Sequence, residues 1–214
     1  MGCFITFEGI EGCGKTTQIK LLEQHLAEKG FKVLLTREPG GCPIADQIRA
    51  ILLDAANSAM TPSAELLLYA AARAQHVEEV IKPALADDCI VLCDRFTDAT
   101  VAYQGYGRGL DLDSIGYLNQ LATSGLKPQL TILLDCPVEV GLKRALARIN
   151  GISAGAREER FELESTLFHQ KVRNGYLKLA ENEKGRFLIV DGGTNVDETR
   201  VAVTTAVIGR LNGN

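Results

Sequence analysis

Several features that would place this chain in a specialised class of protein are missing. It has no tryptophan, no apolar run near the ~20 residues of a membrane span, and no basic, apolar leader at its start. Its 27 acidic and 23 basic side chains nearly balance, for a net charge of −4, so the composition gives no basic footprint for nucleic acid or anionic lipid. We therefore expect a cytoplasmic protein with no nucleic-acid partner and no membrane partner.

The cysteines also lack a pattern. None of the six forms a Cys-x-x-Cys pair, and none has a histidine at metal-ligand spacing. Free, mostly buried thiols are expected. With 214 residues, 46% of them apolar and 23% charged, the chain has the balance of a globular protein, and we predict a single domain over residues 1–214.

Five short apolar runs alternate with longer segments of helical spacing. Continuous apolar strands between helices are typical of a parallel sheet buried on both faces. The pattern predicts an α/β fold of three layers, with a five-stranded parallel sheet, helices on both faces and ligands at the carboxyl ends of the strands. The predicted strands are Cys3 to Glu8, Lys32 to Arg37, Cys89 to Asp94, Leu130 to Asp135 and Arg186 to Asp191. The main predicted helices are Lys15 to Lys29, Ile44 to Ala55, Pro62 to Ala86, Leu112 to Ser124, Pro137 to Ile149, Arg160 to Asn182 and Val196 to Leu211.

A glycine-rich loop follows the first predicted strand and opens the first predicted helix. It reads Gly9-Ile-Glu-Gly-Cys-Gly-Lys15-Thr16 and matches the P-loop pattern at every fixed position. Backbone N–H groups of such a loop point at phosphate oxygens, the lysine reaches the β- and γ-phosphates, and the threonine hydroxyl binds Mg²⁺. A P-loop NTPase fold that binds ATP is therefore predicted. The predicted ATP-binding residues are Gly9, Ile10, Glu11, Gly12, Cys13, Gly14, Lys15, Thr16 and Thr17.

The third predicted strand ends in Asp94 and is followed by Arg95. The aspartate is placed to hold Mg²⁺ together with Thr16, directly or through water. An arginine replaces the glutamate that motor ATPases use to polarise water, and the sequence has no Asn-Lys-x-Asp guanine-reading motif. These features favour phosphoryl transfer to a bound acceptor over hydrolysis or switching.

A second phosphate site is suggested at the end of the second strand, in Thr36-Arg-Glu-Pro-Gly-Gly41. Arg37, Arg95 and Arg49 could converge there on one anion, which an ATP-filled P-loop does not need. An ordinary strand-to-helix turn with a surface arginine is the alternative. The converging arginines would bind a phosphomonoester acceptor.

One small, polar stretch, 150–156, lies among Arg144, Arg148, Arg157 and Arg160. It could be a solvated loop beside helix-terminal arginines or a mobile flap that carries an arginine to the nucleotide. The flap interpretation places a lid at approximately 148–160.

The P-loop, the TREPGG turn, Asp94-Arg95-Phe96 and Ala102-Tyr-Gln-Gly-Tyr-Gly-Arg-Gly109 occur in this order. Taken together they resemble the bacterial thymidylate kinases, within the P-loop nucleoside monophosphate kinases, over nearly the whole chain. The resemblance implies a kinase that transfers the γ-phosphoryl group of ATP to dTMP, with Mg²⁺ as cofactor, and a homodimer. The apolar Leu66 to Leu68 and Ile81 are candidates for its interface.

By the same resemblance, the acceptor would contact Arg37, Glu38 and Pro39 of the turn, together with Arg49 and Arg95. Its base would stack on Tyr69, where the family usually has phenylalanine. Arg73 would donate to the base, and Thr100 and Gln104 would complete its hydrogen bonds. Tyr103 would lie beneath the sugar, where it disfavours ribonucleotides.

The implied catalytic residues are Lys15, Arg95, Glu11 and a lid arginine. Glu11 occupies an acidic loop position near the acceptor's sugar and the metal. Because the loop itself carries no arginine, the lid must supply it, and Arg160 in Glu-Arg-Phe-Glu matches the lid motif best, with Arg148 and Arg157 as the other candidates.

Two other functions remain open on the sequence alone. One is a P-loop kinase for another monophosphate or for a deoxynucleoside. The other is a regulatory module that binds a nucleotide without catalysis, although such a module has no need of an acceptor clamp.

Overall fold

The structure is a computed structural model that describes residues 2–150, 160–161 and 163–211. Its strands are β1 (Cys3–Glu8), β2 (Val33–Arg37), β3 (Ile90–Asp94), β4 (Leu130–Asp135) and β5 (Phe187–Asp191). All neighbours are parallel, in the order β2-β3-β1-β4-β5. The predicted parallel sheet is confirmed, and each predicted strand is correct to within one residue.

Helices surround this sheet. They are α1 (Lys15–Glu28), α2 (Pro43–Leu53), α3 (Pro62–His76), α4 (Lys82–Ala86), α5 (Thr97–Thr100), α6 (Leu112–Thr123), α7 (Val138–Asn150), α8 (Thr166–Asn182) and α9 (Val196–Leu211). A π-helical turn at Val77–Ile81 joins α3 to α4, and a second at Val101–Gly107 extends α5. The sequence reasoning missed this second helical segment, because its glycines and short length hide the helical period.

The start of α8 differs from the prediction. A helix was expected from Arg160, but α8 begins at Thr166. The Ser165 hydroxyl accepts a hydrogen bond from the Phe168 amide at 3.2 Å, which is the arrangement of a helix N-cap. The predicted lid falls mostly on 151–159, which includes Arg157 and lies outside the described residues.

Both faces of the sheet are covered. Consecutive strand residues point to opposite faces, and Phe4 lies in one apolar cluster with Val77 and Ile81, whereas Ile5 lies in another with Ile19 and Leu22. This burial explains why the strands are apolar at nearly every position. The carboxyl ends of the strands meet at one edge, where the glycine-rich loop follows β1.

All six cysteines are free, and five are buried, as the sequence predicted. Among the described residues, no helix is both long and apolar enough to cross a membrane.

Candidate active site

The glycine-rich loop between β1 and α1 depends on its glycines for shape. Gly9 and Gly12 have φ values of 135° and 68°, a region that disfavours side chains. A Cβ on Gly12 would also collide with the carbonyl oxygen of Gly141. The loop curls back on Lys15, whose Nζ donates to the carbonyl oxygens of Gly9 at 2.9 Å and Ile10 at 2.8 Å. The ammonium group is thus held at the mouth of the loop.

A hydroxyl and a carboxylate lie together beside this loop. Thr16 Oγ1, in the first turn of α1, donates to Asp94 Oδ2 at the end of β3, over 3.2 Å. Hard divalent cations such as Mg²⁺ bind oxygen ligands of this kind. Among residues 2–150, 160–161 and 163–211, no group of three histidine, cysteine or acidic side chains could hold a metal ion, so these two oxygens fit a cation that also binds other ligands.

A cavity of about 700 Å³ opens in front of the loop, within the usual range for ligand sites. It gathers most of the site residues predicted from sequence. Those that line it are Glu11, Gly12, Cys13, Gly14, Lys15, Thr16, Thr17, Arg37, Glu38, Pro39, Arg49, Tyr69, Arg73, Asp94, Arg95, Thr100, Tyr103, Gln104 and Arg148. Gly9 and Ile10 lie behind this wall and contribute the carbonyls that hold Lys15.

Arg95 forms the centre of a charged cluster on one side of the cavity. Its Nη2 donates to Glu11 Oε1 at 2.9 Å, and its guanidinium lies 4.8 Å from the centroid of the Tyr103 ring. The Tyr103 hydroxyl donates to the same Glu11 oxygen at 2.6 Å. Burial alone would raise the pKa of Glu11, but the Arg95 guanidinium, helped by His169 and Lys15, holds this pKa well below its ordinary value. The cluster therefore keeps a carboxylate and a guanidinium in fixed positions.

The backbone at Arg95 is strained. Its φ of 70° is unusual for a side chain other than glycine and costs on the order of 1–3 kcal/mol. The turn is held by hydrogen bonds on either side, from the Arg95 amide to the Phe7 carbonyl at 2.9 Å and from the Phe96 amide to Glu8 Oε1 at 2.7 Å. Tyr176 connects Glu8 to the Arg95 side chain, because its hydroxyl donates to Glu8 Oε2 at 2.8 Å and accepts from Arg95 Nη1 at 3.3 Å.

The buried carboxyl of Glu8, which helps to hold the turn at Arg95, makes a testable contribution to stability. Burial, together with the nearby Asp98 carboxylate, raises the pKa of Glu8 to about 8. The folded protein thus binds the proton of the Glu8 carboxyl more tightly than the unfolded chain does. Protonation of Glu8 therefore contributes fully to the free energy of unfolding below pH 4.5, and this contribution is lost as the pH rises through about 8. We expect Glu8→Gln to unfold in urea with a weaker dependence on pH across this range. Glu181→Gln, which changes an exposed carboxylate, should leave the wild-type dependence intact.

The far side of the cavity is built around Arg73, which is 2% exposed. Its Nε donates to Glu38 Oε2 at 2.7 Å, Nη1 to Asn119 Oδ1 at 2.8 Å and Nη2 to the Phe96 carbonyl at 3.0 Å. Glu38 therefore orients Arg73, although the sequence suggested only direct contact with a ligand. Nearby, Thr100 Oγ1 is buried with no hydrogen-bond partner among the described residues, which marks a place for a polar ligand atom.

Arg160, the preferred lid arginine from sequence, does not line the cavity. Its Nε donates to the Leu52 carbonyl at 2.5 Å, and its Nη1 lies 2.6 Å from Glu65 Oε2. Glu65 is itself buried and also accepts from Gln104 and Arg108. Arg148, by contrast, lies on the exposed surface of α7 and lines the cavity.

The edge of the cavity beyond the glycine-rich loop is formed by α7 and the turn after β5. Arg144 Nη1 donates to the Gly192 carbonyl at 2.8 Å, and both residues line the cavity with Thr194 and Thr199. Residues of α7 and of the turn after β5 thus meet at this edge.

Five supporting residues escaped the sequence reasoning. They are Glu8, Glu65, Asn119, His169 and Tyr176. Charged side chains inside apolar patterns are a signal that could have found two of them, since Glu8 ends the apolar β1 and Glu65 stands directly before three leucines.

Comparison with known proteins gives concordant results. The thymidylate kinase family model matches residues 7–203. A thymidylate kinase of Geotalea uraniireducens is 76% identical over 99% of both chains, and one of Geobacter sulfurreducens is 64% identical over 99% of both. The crystal structure of thymidylate kinase from Ehrlichia chaffeensis matches with a TM-score of 0.76 and 32% identity, and covers 96% of this chain and 98% of that one.

These matches span the sheet, the glycine-rich loop and the Arg95 cluster alike. The fold, the site and the comparisons agree, and the chain belongs to the thymidylate kinase family.

Proposed function

We propose that the protein transfers the γ-phosphoryl group of ATP to dTMP, giving ADP and dTDP. The observation that carries this proposal is the shared cavity. One wall is a phosphate-binding loop, and Arg95 and Tyr103 face it and both donate to the loop's Glu11. A nucleotide-binding protein that hydrolyses ATP has no use for this second set of groups, whereas a transferase needs it to hold an acceptor.

ATP would bind with its phosphates in the loop from Gly9 to Thr17 and its base near Arg144 and Thr194. The backbone N–H groups of the loop and the N-terminus of α1 favour the anionic phosphates. Lys15 has three ammonium donors; it binds the carbonyls of Gly9 and Ile10 and would bind the β- and γ-phosphates.

dTMP would bind on the opposite wall. Arg95 would grip its phosphate, helped by Arg37 and Arg49, while Tyr69 would stack on the base and Arg73 and Thr100 would bond its polar edge. Because Glu38, Asn119 and the Phe96 carbonyl already hold Arg73, this part of the pocket is rigid before the ligand arrives.

In the reaction, an oxygen of the acceptor phosphate attacks the γ-phosphorus as the bond from that phosphorus to the β–γ bridging oxygen breaks. The acceptor oxygen is already anionic, so no general base is required. Catalysis then rests on positioning and charge neutralisation by Lys15, Arg95 and an arginine from the α7 side. Thr16 and Asp94 would hold Mg²⁺, which neutralises phosphate charge when bound.

The first experiment is an ADP-release assay with ATP and Mg²⁺ that compares dTMP with dUMP, dCMP, dGMP, dAMP and thymidine. We expect release to depend strongly on dTMP. Activity with another monophosphate instead would place the error in the base pocket around Tyr69, Arg73, Thr100 and Gln104. Without any acceptor-dependent release, the protein would be a regulatory nucleotide-binding module.

A homodimer in the cytoplasm is also part of this proposal. Leu66 and Ile81, two interface candidates from the sequence, are 7% and 0% exposed and belong to the core. Leu67 on α3, also an interface candidate from the sequence, is exposed, as are Tyr117 and Leu121 on α6, and α3 packs against α6. Tyr117 and Leu121 are four residues apart and share one helical face.

Leu121→Glu is expected to convert the dimer to a monomer, because burying a carboxylate in an apolar interface costs several kcal/mol. Light scattering should show the mass fall by half, to 23.1 kDa. Val201→Glu on α9, also at an exposed apolar side chain, should leave the mass unchanged. An unchanged mass in Leu121→Glu would remove α6 from the interface.

A further inference from the structure

A fully buried histidine connects the glycine-rich loop to the chain segment before α8. His169 lies in the first turn of α8 and is 0% exposed. Its Nε2 is hydrogen-bonded to the Phe161 carbonyl oxygen at 3.1 Å. Its Nδ1 lies 3.2 Å from Glu11 Oε2. One imidazole ring thus touches two elements that are far apart in the sequence.

Both neighbours of the ring offer acceptor oxygens. A carbonyl oxygen only accepts hydrogen bonds, and so does an ionised carboxylate. Glu11 is ionised, since Arg95 and the other nearby cations hold its pKa well below the ordinary value against the effect of burial. A bare Nδ1 would therefore face a negative charge. The contact with Glu11 is favourable only when Nδ1 carries a proton.

Glu11 needs this contact to keep its orientation. Its Oε1 accepts from both Arg95 and Tyr103. Its Oε2 and the His169 Nδ1 are both buried and lie 3.2 Å apart, and neither atom has a hydrogen-bond partner elsewhere among the described residues. Without His169, only one edge of the carboxylate would be held, and it could rotate within the cluster.

Phe161, which is hydrogen-bonded to His169 Nε2, also contacts the cavity. Its ring lines the cavity and packs edge-on against Tyr103, with ring centres 5.4 Å apart. Its neighbour Arg160 is fixed to Glu65. Any displacement of this segment would move the Phe161 carbonyl, and with it the ring of His169.

From these contacts we infer that His169 is a positioning residue for phosphoryl transfer: it fixes the Glu11 carboxylate through Nδ1 and couples it, through Nε2, to the chain at Phe161. This inference rests on the proposed function and adds to it a connection between the acceptor side of the cavity and the segment before α8. His169 would not touch either substrate.

Two substitutions separate the two contacts. The amide nitrogen of asparagine can take the place of Nδ1, and that of glutamine the place of Nε2. His169→Gln keeps the donor to Phe161 but loses the one to Glu11, so we expect the KM and the calorimetric Kd for dTMP to rise about tenfold, as for one charge-assisted hydrogen bond, with the KM for ATP unchanged. His169→Asn keeps the donor to Glu11, so we expect its dTMP affinity to stay near wild type while kcat falls.

The inference would be overturned if His169→Gln and His169→Asn lost dTMP affinity and kcat to the same extent, or if the KM values for ATP and dTMP changed equally. Either result would show that the histidine is merely structural. The proposed function fails separately, if the wild-type protein itself shows no dTMP-dependent ADP release. Nitrogen-15 spectra of the wild-type protein do not depend on the folding of a variant. The chain has three histidines, and we expect Nδ1 of His169 to carry a proton; a bare Nδ1 would overturn the inference.

Discussion

Arg95→Ala is expected to reduce kcat/KM for dTMP on the order of 10³-fold. The guanidinium faces the cavity from a strained turn, and hydrogen bonds to a charged group contribute about 1.5–3 kcal/mol each. Two such bonds to an acceptor phosphate account for a loss of this size, at about 1.4 kcal/mol per factor of ten. The KM for ATP should change less, because Lys15 is held by the carbonyls of Gly9 and Ile10 and not by Arg95. Steady-state kinetics with each substrate varied in turn measure both effects.

Arg95→Lys is the matched control for charge. It keeps one positive charge but loses the planar fork and the stacking on Tyr103. We expect activity between that of the wild type and that of Arg95→Ala. If Arg95→Ala retains kcat/KM for dTMP within tenfold of wild type, Arg95 does not hold the acceptor phosphate.

Arg148→Ala is expected to lower kcat by about 10³-fold or more, the size found for arginines that neutralise charge in P-loop phosphoryl transfer. Arg148 lines the cavity from the exposed face of α7. Its removal should leave the thermal unfolding temperature and the affinity for dTMP near their wild-type values. Single-turnover kinetics and thermal unfolding provide the measurements.

Arg160→Ala should give the opposite result. The sequence motif favours Arg160 as the transferring arginine, but the structure places its Nη1 on the buried Glu65 and its Nε on the Leu52 carbonyl. Loss of these contacts should lower the free energy of unfolding by about 2 kcal/mol and reduce kcat much less than Arg148→Ala does. A large loss of kcat in Arg160→Ala with normal stability would return the catalytic role to Arg160.

The parts of the site that the sequence predicts are those with a local signature. The glycine-rich loop, the Asp94-Arg95 pair and the TREPGG turn are short motifs at the ends of strands, and a parallel sheet brings strand ends together whatever else the chain does. Apolar runs without polar breaks are local signatures too, and they predict the five strands. Most of the site residues that these motifs predict therefore line one cavity.

The supporting contacts could not be predicted because they join distant parts of the chain. Tyr176 and Glu8 are 168 positions apart, and Arg73 and Asn119 are 46 apart. No periodicity or spacing relates such pairs before the fold is known. The contact between Arg160 and Glu65 is hidden for the same reason: the motif of Arg160 resembles that of a lid arginine, while Glu65 lies on α3.

The order of the sheet also affects how the protein is made. β1 lies at the centre of the sheet but ends at Glu8, whereas its two neighbours begin only at Ile90 and Leu130. Ribosomes add about 5–20 residues per second, so this apolar strand leaves the ribosome several seconds before either partner exists. During that interval its unpaired edges can pair with other nascent chains. Expression yield should therefore depend on chaperones that bind early, and substitutions that make β1 more apolar should lower the yield without destabilising the folded enzyme.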